Sequence, residues 1–153
     1  MTQSVQEKSS IVIVGLGAKT SVGLTLPMTA TSVRAHINCF SFHDYLRDRA
    51  QGDPFVLASL ETLSNDLSVF ERMVSLAVAA AHEALRPWKV FLKRFSLKDP
   101  ELPVIISVPP FRPGFAQEAG KKLVLDIIHQ LPIRVAQSLC SLFDSGHQGG
   151  LAA

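Results

Sequence analysis

The sequence predicts an α/β layered fold, a mostly parallel sheet with helices packed on it, and three observations lead there. Residues 10–14 form a short β-branched run, apolar on both faces as a buried central strand is, and Gly15 and Gly17 then permit a tight turn. Residues 102–108 form a second such run, bounded by Pro103 near its start and by the pair Pro109-Pro110 at its end. Between and after these runs apolar residues recur at helical spacing, so strand and helix alternate in the order that builds parallel sheets.

Taken in order, the first strand leads into a helical segment that Thr20 or Ser21 caps and that reaches about His36, with Pro27 placing the helix proper near itself. From Asn38 to Ala58 the aromatics Phe40, Phe42 and Tyr45, the turn Gly52-Asp53-Pro54 and a further apolar run predict a hairpin or extended excursion. After Asn65 the residues Leu67, Phe70, Val74, Ala77, Val78, Ala81 and Leu85 mark one face of a long helix, which Arg86-Pro87 is expected to close. The run 102–108 is then a strand expected to lie beside the first. Pro113 sits at a helix start, Ala116, Ala119, Leu123, Ile127 and Ile128 give that helix its apolar face up to Pro132, and residues 133–139 follow as a strand candidate. Residues 146–153 read as the beginning of another helix, so the sheet is expected to be incomplete, with residues 1–9 as a short disordered lead and residues 10–153 as one domain.

Composition narrows the function classes. A chain of 153 residues, 47% of them hydrophobic, is long enough for one domain with a core. Fifteen Lys and Arg against thirteen Asp and Glu leave a net charge of +2 with no basic block and few aromatics, which argues against a nucleic-acid partner. Charged residues or proline interrupt the apolar runs well short of the roughly 20 residues that span a bilayer, and Glu7 and Lys8 stand where a signal peptide would be apolar. No membrane association and a cytoplasmic location are the expectations. Cys39 and Cys140 make no disulfide framework and read as reduced thiols.

The segments together resemble the amino-terminal half of the β-ketoacyl synthases, condensing enzymes of the thiolase-like superfamily that act in fatty acid and polyketide biosynthesis. Residues 11–23 are similar to that family's opening pattern V-x-I-T-G-x-G-x-V-T-P-x-G, with Gly15, Gly17, Thr20 and Gly23 in register and Val14, Lys19 and Ser21 departing from it. Residues 33–37 resemble the family's R-A-G segment, and Asp48 with Gly52-Asp53-Pro54 resembles the excursion after it. Arg72 with its alanine-rich helix, the run 102–108 and residues 111–114 follow in the family's order. The resemblance implies a thiolase-like fold and the class of acyltransferase, with no cofactor and no metal. As partners it implies an acyl carrier protein, and a homodimer or a heterodimer with a complete condensing-enzyme subunit.

In that family a cysteine nucleophile stands at the amino end of a buried helix, within a motif like A-C-S-S-S-L-x-A-L, where the helix end favours the thiolate. Residues 146–153 resemble this segment, and the nucleophile position is occupied by His147. An acyl-imidazole hydrolyses too readily to wait for a second substrate, and the family's decarboxylating histidines belong to a carboxy-terminal half that this chain lacks. The resemblance therefore implies a chain that is inactive alone. Cys140, seven residues earlier in the sequence, is expected at the end of the preceding strand as an apolar, inert thiol.

Other constellations compete with this reading. A small-molecule or nucleotide-binding module using the loop from Gly15 to Gly23 is the alternative, although Thr20 stands where a dinucleotide fingerprint needs its third glycine. His36, Cys39, His43 and Asp44 have zinc-like types, but three ligands would crowd one short extended segment. Lys89, Lys93, Arg94 and Lys98 form a basic cluster that would suit an acidic carrier protein or simply a solvated face. His82 and His129 read as solvent-facing helix residues, and Trp88 as a cap on the core near Pro87.

Overall fold

The computed structural model describes residues 12–64, 66–110, 115–136 and 140–143, which form an α/β mixture of three helices and three two-stranded sheets. Residues 12–19 join no sheet among the described residues, and Val12 and Ile13 are 71% and 73% exposed, so the buried first strand expected at 10–14 is corrected, over its described part, to an exposed segment without a ladder. Its physical reason lies in the glycines, which press the backbone onto a helix instead of aligning it with a neighbouring strand. A Cβ on Gly15 would stand 1.9 Å from the Ala84 carbonyl oxygen, and one on Gly17 would stand 2.0 Å from that of Ala80.

Helix α1 spans Leu26–Arg34. Thr25, and not Thr20 or Ser21, is its cap: its side chain accepts from the Met28 N–H, and Pro27 occupies the first turn, where a missing N–H costs nothing. None of its residues is buried. The hairpin predicted next is present, with strand β1 at Phe40–Arg47 and β2 at Pro54–Ala58 pairing antiparallel. The Gly52 turn adopts φ 75° and its N–H donates to the Asp48 carbonyl. The register slips between Phe42 and Arg47, where His43 Nδ1 accepts from the backbone N–H groups of Tyr45 and Leu46.

Helix α2 spans Val69–Arg94. Ser68 and Glu71 form a reciprocal capping box at its start. Pro87 does not close it, contrary to expectation. Beyond the proline Leu92 is buried, Trp88 stacks on Phe91 with centroids 5.8 Å apart, and Phe91 meets Phe95 at 4.8 Å, so packing carries the helix past the lost N–H.

The apolar run 102–108 is divided by Pro103 into β3, Glu101–Leu102, and β4, Ile105–Ser107. Helix α3, Gln117–Gln130, starts after Ala116 without a side-chain cap. The residues around Pro113 lie outside the described part of the chain. Strand β5, Arg134–Val135, pairs parallel with β3, and β6, Ser141–Phe143, pairs parallel with β4. The expected pairing of this run with the opening segment is therefore replaced by pairing with strands that follow α3, each parallel pair being joined through that crossover helix.

The core lies where α2 and α3 meet β4. Val74, Val108, Phe115, Leu123 and Ile127 form its buried centre, with Val108 1% and Leu123 2% exposed, and Phe70, Met73, Ala77 and Val78 close over them from α2. Each such side chain contributes about 1.5–3 kcal/mol on burial. Among the described residues, no helix is long and apolar enough to cross a membrane.

Candidate functional site

The glycine-rich loop is the best-defined feature outside the core. Thr20 and Gly23 exchange backbone hydrogen bonds of 2.9 and 3.3 Å, which close the loop on itself, and Lys19 Nζ donates to the Leu24 carbonyl. Helix α1 then holds the loop from one side. Thr29 Oγ1 donates to the Gly23 carbonyl at 3.2 Å and lies 3.0 Å from Thr20 Oγ1, while Ser32 Oγ donates to the Val22 carbonyl at 2.8 Å.

Helix α2 holds it from the other side through one carboxylate. Glu83 Oε2 accepts from the Ala18 N–H at 3.1 Å, and Oε1 accepts from the Leu26 N–H at 2.9 Å. Both contacts bridge more than fifty residues of sequence, and the second satisfies the first amide of α1, which a helix leaves without an internal partner. A carboxylate is also the charge that a helix amino end favours. Sequence reasoning missed Glu83. Its signal was available in the small residues Ala80 and Ala84 around it, which make a helix face that a glycine-containing backbone can approach.

In front of the loop lies a cleft of about 480 Å³, walled on one side by residues 20–24 with Met28 and on the other by the ends of the hairpin, Cys39, Phe40 and Ser41 against Ser59, Leu60, Glu61 and Thr62. The volume suits a small organic ligand. Among the described residues, hydroxyl groups and apolar side chains dominate the lining, Glu61 is its one carboxylate, and no lysine or arginine faces it. Phosphate finds little here: the Ala18 and Leu26 amides are taken by Glu83, whose own charge would repel it.

The remaining predicted residues disperse. His147, the expected nucleophile position, lies outside the described residues. Cys140 is half-buried with its thiol directed at the Ala136 carbonyl 3.4 Å away, and it immediately precedes β6 instead of ending the strand before it, a correction that moves it to the start of a parallel strand. His36 stands exposed at φ 55°, Cys39 is exposed, and His43 spends Nδ1 on its own backbone, so the zinc-like cluster does not converge; no group of three metal-ligating side chains does so among the described residues. His82 faces solvent but ties α2 to the end of α3, 3.3 Å from the Gln130 carbonyl. In the basic cluster Lys89 pairs with Asp99 at 2.5 Å. No family model, no curated protein and no solved structure matches the chain.

Proposed function

We propose that the chain is a β-ketoacyl synthase-like protein of fatty acid or polyketide biosynthesis that resembles the amino-terminal half of a thiolase-type fold, carries His147 where that family has its nucleophile, and works as a noncatalytic partner of a complete condensing-enzyme subunit. The observation that carries this reading is the path of β6. This strand runs parallel to β4 and ends at Phe143, shortly before residues 146–153 in the sequence, the stretch that the resemblance makes the nucleophile segment. Delivery of a nucleophile from the end of a parallel strand is what the resemblance implies. With His147 in place of the cysteine, the chain is expected not to catalyse condensation by itself. The exposed apolar residues of the opening segment, among them Val12, Ile13 and Val14, support the need for a partner.

The test is the mass in solution of the chain alone and mixed with a complete condensing enzyme and acyl carrier protein, by light scattering after size exclusion. A stoichiometric complex is expected. Polydisperse aggregate that no partner resolves would sink the reading. A second reading, a small-molecule-binding module, is favoured by the cleft in front of residues 20–24. Thermal stabilisation by small ligands without phosphate, with none by acyl-carrier ligands, would put it first.

A further inference from the structure

The loop and α1 form a unit whose attachment to the rest of the molecule is unusually economical. Internally the unit is dense: the Thr20–Gly23 backbone pair, the Thr29 hydroxyl on Gly23 and Thr20, and the Ser32 hydroxyl on Val22 lock residues 20–25 onto α1. Externally it is sparse. Helix α1 buries none of its residues and packs extensively on no other described element. Among the described residues, the side-chain hydrogen bonds that tie residues 18–26 to α2 are those received by Glu83, from Ala18 and from Leu26.

We infer that residues 18–34 move as one rigid arm, and that Glu83 is the pin that docks this arm on α2. The two carboxylate oxygens hold the arm at both ends of the loop, at Ala18 and at Leu26, so one side chain sets the arm's translation and its rotation. Because residues 20–24 and Met28 are one wall of the 480 Å³ cleft, the pin also sets the cleft's width. Glu83 is thus a positioning residue for the cleft, acting from behind its wall without reaching the interior. The inference is independent of the proposed function.

Amide hydrogen exchange resolved residue by residue by NMR tests it on the full chain. In Glu83→Ala the Ala18 and Leu26 amides are expected to exchange at least tenfold faster. The Thr20 and Gly23 amides, together with the interior of α1, should keep their protection, because the arm leaves as a body. In Glu83→Gln, which retains one acceptor oxygen, one of the two amides should recover protection. Unchanged exchange at Ala18 and Leu26 would overturn the inference. So would an equal rise across α2 and α3, since Glu83 would then support the whole fold and not a local arm. If Glu83→Ala does not fold, Glu83→Gln decides by the same comparison.

Discussion

At the residue scale, two kinds of glycine must be kept apart. Gly17 lies against the Ala80 carbonyl with no room for a methyl group, whereas Gly52 meets nothing within 4 Å but sits at φ 75°. Gly17→Ala should therefore lower stability by roughly 1–3 kcal/mol through overpacking, and Gly52→Ala by about 1–2 kcal/mol through backbone strain alone. Urea denaturation measures both losses, and amide hydrogen exchange separates them, because only Gly17→Ala should also release protection at the Ala18 amide. Glu71 supplies a pH dependence. Its carboxyl is held below the ordinary value first by the Ser68 hydroxyl, which donates to Oε2 at 2.7 Å, and then by the Ser68 N–H at 2.8 Å. A lowered folded value means the contribution is complete above the ordinary carboxylate range and is lost as pH falls through Glu71's lowered value. Thermal melts over that range should show wild type and Glu71→Gln converging toward acid. A constant difference at every pH would contradict the capping assignment.

At the scale of elements, what the sequence revealed and what it hid follow from whether packing agrees with local preference. The hairpin was legible because Gly52-Asp53-Pro54 separates two apolar runs, and α3 because its apolar face recurs up to Leu131. The end of α2 was not legible. Pro87 is a local stop signal, overridden by Leu92 and the Trp88, Phe91 and Phe95 stack, none of which a local rule weighs. Pro87→Ala should raise stability by up to about 3 kcal/mol, read from the urea midpoint, and a loss would mean the ring's place beside Gly15 matters more than the helix. The opening segment misled in the opposite direction. Its β-branched run promises a strand, but a ladder needs a neighbouring chain, and the glycines that follow commit the segment to α2. For the candidate site the loop was visible in its glycines, while Glu83 was not, since one acid within a long helix carries no signal until the chain that approaches it is known.

For the whole molecule, the balance between core and surface matters most. Among the described residues the main buried cluster lies at the junction of α2, α3 and β4, with Leu92 buried apart from it, while Phe40, Phe42, Tyr45, Phe55 and the opening Val12 and Ile13 are exposed, Tyr45 to 88%. Apolar surface on that scale seeks cover. Self-association that grows with concentration is the expected behaviour of the chain alone, and light scattering over a dilution series measures it; a monomer at every concentration would count against a surface built for a partner. The crossover through α3 has a further bearing, on the order of events in folding. The hairpin closes between near neighbours, but Glu101 meets Arg134 and Ile105 meets Ser141 only after the intervening helix has brought the chain back. Such distant closures are slow, and strand edges stay bare while they wait. Leu123→Ala, which empties the middle of α3, should cost about 2–5 kcal/mol and slow refolding as well as speed unfolding. The parallel pairs are then the last parts of the molecule to form, and rapid dilution from denaturant should give more native chain than slow dialysis.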